Sequence, residues 1–261
     1  MSTPVATYTP DNCQAAFQLN WALSLFWHAP PGDCDWLVEL QRVTEADGVR
    51  ILKHEFLKPG VSQFLVSTRP EVAPERIVWS VKGRLQHAVR RQWPKAFRRN
   101  YGLRSIGSAR REVVEEYVRS QVAHHPMADP RVQDVLRTVQ IHDPSVDLSL
   151  PRHSAHGVYW YNLQVCFVND GRCMEVRPES LLRMREMIVK SAAKHAHLLS
   201  TGGLVGDHIH LALGCNVEES PADVALCYMN NLAYTCGMKR LFAFGFYVGT
   251  LGEYDLGVTW S

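Results

Sequence analysis

The sequence has no CxxC cysteine pair, no apolar run long enough to span a bilayer and little net charge, and each shortage excludes something. Cys13, Cys34, Cys166, Cys173, Cys215, Cys227 and Cys236 form an odd set without thiolate-zinc spacing, so neither a disulfide framework nor a cysteine-held metal is expected. No stretch approaches the roughly 18 apolar residues of a membrane span. The opening MSTPVATYTPDNCQ also lacks a basic segment followed by an apolar one. The expectation is a soluble, cytoplasmic protein with no membrane partner. A formal charge of +2 is nearly neutral, but Arg76, Lys82, Arg84, Arg90, Arg91, Lys95, Arg98, Arg99, Arg104, Arg110, Arg111 and Arg119 crowd one stretch that has few acids. Charge alone fits a phosphate-binding footprint and a solvated helix face equally well.

With 261 residues, 46% hydrophobic and 21% charged, the chain has an ordinary globular composition and room for two units of about 130 residues. A polar, proline-bearing stretch from His124 to His156 separates two segments with strand and helix patterns. The expected division is a first domain over 1–125, a linker over 126–155 that holds a short helix in PRVQDVLRTVQIH, and a second domain over 156–261. In the second segment, strand Val158 to Val168 is followed by an NDGR turn and a helix from about Pro178 to His197. Strand GDHIHLALG, a helix from Pro221 to about Gly237 and strand FAFGFYVGTLG complete it. The first segment repeats the scheme less clearly, with strands expected in AAFQLNWALSLFWH, DWLVELQRV, Val49 to Phe56 and KPGVSQFLVST. A helix from Pro74 to about Trp93 follows, and a last helix begins at Ser108 as N-cap. That last helix has no counterpart before the chain ends at Ser261.

His208 and His210 are the strongest single feature. In a strand, a His-apolar-His triplet points both imidazoles to one face while Ile209 faces the core, and two nitrogens on one side suit a divalent metal. The competing reading is a pair of hydrogen-bonded surface histidines. His195 and His197 form a second such triplet, but at a helix end residues two apart diverge by about 200°, so they are set aside as ligands unless the segment is extended. Tyr117 and Gln121 lie four residues apart on the helix that follows the basic stretch, one turn apart on one face. A phenol can attack a phosphodiester and hold the DNA end covalently, and a glutamine offers a metal a neutral oxygen.

Taken together, these motifs resemble the insertion-sequence-200-like, REP-associated single-tyrosine transposases of the HUH class. The second segment carries GDHIHLALG at 206–214 and FGFYVGTLG at 244–252. The first carries KPGVSQFLVS at 58–67, VKGR at 81–84 and EEYVRSQ at 115–121. The likeness spans nearly the whole chain. Val61 and Gln63 stand where the two histidines would be in the first segment, and the second lacks the tyrosine helix.

The resemblance implies an α+β fold of two tandem ferredoxin-like HUH domains, a dimer fused into one polypeptide with one composite site. It implies that His208, His210 and Gln121 hold one Mg²⁺ or Mn²⁺, that Tyr117 is the nucleophile, and that Asp207 orients a histidine or caps a turn. The implied partner is single-stranded or hairpin DNA, contacted by Lys82, Arg84, Arg90, Arg91, Arg104, Lys239 and Arg240, with Trp79, Trp93 and Tyr101 available for base stacking. Cleavage at two ends would need either two paired chains, a homodimer of fused chains, or one nick and one joining event per chain. Two other readings stand beside this one: a domesticated hairpin-binding protein that does not cut, and an HUH replication or mobilisation nickase.

Overall fold

The computed structural model describes residues 6–238 and 240–252. These form a mixed α/β fold around two six-stranded sheets. In chain order the first part runs β1 (Gln14–Gln18), β2 (Asn20–Trp27), α1 (Leu37–Ala46), β3 (Val49–Lys58) and β4 (Val61–Thr68). A helix follows in three pieces, α2 (Pro74–Val78), a π-helical turn (Trp79–Gly83) and α3 (Arg84–Val89), and then β5 (Phe97–Ile106). The middle holds α4 (Arg111–Arg119), α5 (Gln121–His124), α6 (Pro130–Val139), β6 (Ile141–His142) and β7 (Arg152–His153). The last part runs β8 (Gly157–Trp160), β9 (Asn162–Asn169), α7 (Pro178–Lys194), β10 (Leu198–Val205), β11 (His208–Gly214), α8 (Pro221–Cys236) and β12 (Phe242–Leu251).

One sheet contains the order β3-β4-β2-β5 and the other β12-β9-β11-β10. Each half is therefore strand, helix, strand, strand, helix, strand, and numbering those four strands gives 4-1-3-2 in both. This is compatible with a two-domain ferredoxin-like arrangement. The remaining strands link the halves. β1 pairs parallel to β12 and then runs through Leu19 into β2, while β8 pairs parallel to β5 and runs through Tyr161 into β9.

Matching hydrogen bonds hold the two crossings. Asn20 N donates to Thr250 Oγ1 at 3.0 Å, and that hydroxyl donates to the Ile106 carbonyl at 2.6 Å. Asn162 N donates to Ser105 Oγ at 3.2 Å, and that hydroxyl donates to the Leu251 carbonyl at 2.5 Å. Trp21 and Tyr161 meet edge to face at 5.2 Å between the crossings.

The stretch expected to be a linker is built into both sheets. β6 pairs with β10 and β7 with β8, while α6, capped by Asp129, buries Leu136 and Val139. Several sequence expectations need correction. DWLVELQRV is not a strand: Trp36, Leu40 and Thr44 are buried at four-residue spacing, so α1 covers most of it. β5 and β10 were not anticipated at all. Ser108 does not cap α4, which starts at Arg111 behind an Arg110 that makes no side-chain cap bond. Among the described residues, no helix is long and apolar enough to cross a membrane.

Candidate functional site

The alternation of β11 divides its residues between two environments. Ile209, Leu211 and Leu213 are at most 2% exposed and enter the core shared with α7 and α8, each stabilising the fold by about 1.5–3 kcal/mol. Ala212 faces the other way and packs with Val114 and Val118 of α4, so α4 lies over the face that carries His208 and His210. A helix can come this close because β10 presents Gly203 opposite His210. A β-carbon at Gly203 would lie 2.9 Å from the Val118 carbonyl oxygen and 3.0 Å from Gln121 Cγ.

The helix does not run straight between Tyr117 and Gln121. It breaks at Ser120 (φ −86°, ψ 2°), whose hydroxyl donates to the Glu116 carbonyl at 2.9 Å, and a short α5 begins at Gln121. The two side chains consequently lie at different depths, with Tyr117 45% exposed and Gln121 wholly buried. Gln121 Oε1 lies 3.1 Å from His208 Nε2, across 87 residues of sequence. The Tyr117 ring meets His210 edge to face at 5.9 Å and stacks with His124 at 6.0 Å. The His208 and His210 rings are 5.1 Å apart at 79°, and His125 packs against His208 at 4.9 Å.

His208 Nδ1 sits 2.6 Å from Asp207 Oδ1, and Arg172 pairs with the other carboxylate oxygen at 3.0 Å. Burial pushes the Asp207 carboxyl up, but its hydrogen bonds to His208 and Arg172 and the nearby Arg172 guanidinium outweigh this and hold it below the usual range. An ionised Asp207 accepts a hydrogen bond from Nδ1–H of His208, which leaves the Nε2 lone pair directed at Gln121 Oε1, itself an acceptor. Two acceptors then face each other at 3.1 Å, close to the roughly 3.0 Å between adjacent donors on a cation with bonds near 2.1 Å.

His210 adds to this picture. Its Nδ1 is buried without a hydrogen-bond partner, as is Gln121 Nε2, while its Nε2 lies 3.4 Å from Cys166 Sγ. Burial, and then the neighbouring His208 and His125, push His210 down to about 4, so it is neutral at neutral pH with a lone pair available. The orphaned His210 Nδ1 beside the facing His208 Nε2 and Gln121 Oε1 gives the lone-pair set a divalent cation satisfies, whereas Gln121 Nε2 is a donor and takes no part in it. His208, His210 and Gln121 therefore fit a metal, with Asp207 fixing the orientation of His208.

The residues expected to contact DNA divide into three groups. Arg90 and Arg91 follow α3 and are exposed. Lys82 and Arg84 are engaged within the first half: Lys82 Nζ donates to the Arg99 carbonyl at 2.8 Å, and Arg84 forms a two-pronged pair with Asp47. Arg104 lies over Trp160 at 4.9 Å, and Arg240 pairs with Asp170 at 2.9 Å and covers Phe244. Lys239 lies outside the described residues. Of the aromatics proposed for stacking, Trp79 is 57% exposed under Arg76, whereas Trp93 and Tyr101 pack against the core. Sequence reasoning missed His124, His125 and Arg172, although HH directly after EEYVRSQVA was a visible signal for the first two.

No protein-family model and no curated protein matches the chain. Among solved structures, a glycine cleavage system transcriptional repressor is similar over 90% of this chain and 98% of its own, at 12% identity and a TM-score of 0.24. At that TM-score the likeness carries no argument about function.

Proposed function

We propose that this chain nicks and rejoins single-stranded, hairpin-bearing DNA, as a fused dimer of HUH-type units that retains one composite site. The observation that carries the reading is the meeting of Gln121, from the helix after the first half, with His208 on a strand of the second, with Tyr117 against His210. The reciprocal strand exchange between the sheets supports the fused-dimer part.

In this reading His208, His210 and Gln121 would hold Mg²⁺ or Mn²⁺. When bound, such an ion would supply charge neutralisation to the scissile phosphate. The half-exposed Tyr117 hydroxyl attacks the phosphorus; its oxygen forms a new O–P bond, the bond to the 3′ oxygen breaks, and the phenolic proton is passed to the departing 3′ oxygen by way of solvent. The products are a 5′-phosphotyrosyl linkage on Tyr117 and a 3′-hydroxyl. Attack by another 3′-hydroxyl reverses the step and joins strands, because the linkage conserves the bond energy. Asp207 keeps His208 in one tautomer throughout.

The test is incubation of the full chain with labelled single-stranded hairpin DNA from its genomic flanks and Mn²⁺, followed by a denaturing gel. A covalent adduct is expected, falling at least about 10³-fold in Tyr117→Phe with binding retained. Tight binding without an adduct for any flank or metal would favour a DNA-binding protein that does not cut.

A further inference from the structure

The second His-x-His triplet, set aside on the assumption of a helical backbone, forms a cluster of its own. α7 stops at Lys194 and Ala196 takes φ +53°, a left-handed conformation uncommon for a residue with a β-carbon. This turn brings both imidazoles together, with rings 5.5 Å apart and 28° from parallel. Glu219, just before α8, bridges them: Oε1 lies 3.1 Å from His195 Nδ1 and Oε2 lies 2.9 Å from His197 Nε2. One ligand atom from each of the three falls within 4.8 Å of the others.

We propose that His195, His197 and Glu219 form a cation site for Zn²⁺ or a similar borderline divalent ion, separate from the Tyr117 site. Two imidazoles and one carboxylate suit such an ion better than Mg²⁺ or Ca²⁺, which prefer oxygen throughout. The outward-facing atoms are already held, as they are around bound metals. Tyr228 OH lies 3.1 Å from His197 Nδ1, Cys227 Sγ lies 3.3 Å from His195 Nε2, and Asn216 Nδ2 donates to Glu219 Oε2 at 3.1 Å and to the His195 carbonyl at 2.7 Å. The His197 side chain is fully buried, and burial outweighs the pull of Glu219 to keep it below the usual range, hence neutral and able to ligate. Burial raises the Glu219 carboxyl, but its bonds to His197, Asn216 and His195 overcome this and keep it ionised.

The site joins the end of α7, the start of β10 and the entry to α8. It is at the far end of the β10–β11 ladder from the catalytic face: Leu198 pairs with Gly214 and Val205 with His208, seven residues or about 20 Å away. A cation there braces the strand on which Gly203 supports α4.

The experiment is to strip the full-length protein with a chelator, load it with Zn²⁺, desalt it and count bound zinc, alongside thermal melts and Co²⁺ absorption spectra. His195→Ala and Glu219→Gln are each expected to bind one equivalent fewer than wild type, the same equivalent in both, and the rise in melting temperature with Zn²⁺ should shrink in both. The visible bands of low-coordinate Co²⁺ should weaken in the same two variants. A separate equivalent lost in His208→Ala would mark the other site. If wild type holds one equivalent that only His195→Ala and Glu219→Gln remove, this proposal stands, whatever the outcome of the Mn²⁺ cleavage assay at Tyr117. Zinc content equal in wild type and both variants, or absent throughout, would overturn it.

Discussion

The two halves use the same strand order for different ends, and the difference lies in two adjacent strands. In the second half His208 opens β11 beside Val168 of β9, and His210 pairs across to Gly203 of β10. In the first half Val61 opens β4 beside Phe26 of β2, and Gln63 pairs across to Glu55 of β3. The first half thus differs by more than two imidazoles. Where the second half leaves a bare backbone for a helix to rest on, the first presents an exposed carboxylate paired with Lys53. The site proposed for Tyr117 needs its platform as much as its ligands, and histidines alone would not build one in the first half.

Gly203→Val tests that comparison most severely. The new side chain starts 2.9 Å from the Val118 carbonyl, which as backbone cannot move alone, so α4 and α5 must lift and draw Gln121 away from His208. The expected cost is about 1–3 kcal/mol of stability by urea unfolding. Strand cleavage should fall by about 10²-fold or more, because misplacement near 1 Å suffices for that. Glu55→Val, at the matching register of the first half, should stay within about 0.5 kcal/mol and cut normally. Equal behaviour of the two variants would break the platform argument.

The crossings are where the halves should behave alike. Ser105→Ala and Thr250→Val each remove a hydroxyl that accepts from one strand and donates to the other half's last strand, leaving a buried carbonyl and a buried (Asn162) or part-buried (Asn20) N–H short of a partner. Each should cost about 1–2 kcal/mol, with the two values within about 0.5 kcal/mol of each other. Calorimetry should show one unfolding transition for both, since neither sheet is complete without the other half's strand. Two resolved transitions would mean that the halves fold independently.

How much of this was legible depended on whether local pattern and tertiary role agreed. The HIH triplet was readable because strand alternation fixes sidedness without knowledge of any partner, whereas the helical spacing of Tyr117 and Gln121 did not show that the helix breaks between them and sends them to different depths. β10 was missed because its LLSTGGLV contains two glycines that read as a turn; Gly203 is there for the α4 contact, which the local sequence cannot reveal. β5 was hidden by Arg98, Arg99 and Arg104 in a strand whose apolar residues are few. The grouping of His195 and His197 depended on one left-handed residue, Ala196, that no propensity would assign there.

The smallest effect concerns a histidine found in the first half. His54 on β3 packs among Trp36, Phe56 and Phe64, with Nε2 2.9 Å from Ser62 Oγ, and burial pushes it down to about 4. Above the usual 6.5 it is neutral folded and unfolded, so it adds no pH dependence there. As pH falls from about 6.5 toward about 4, the unfolded chain takes a proton that the folded protein refuses, and stability is lost. Discounted for its partial exposure, the loss should be about 1 kcal/mol. His210 titrates over the same window in the second half, so the two are separated by comparing urea unfolding of wild type and His54→Leu at about pH 7.5 and about pH 5. The variant should lose less on acidification, and an identical loss would remove His54 from the acid sensitivity.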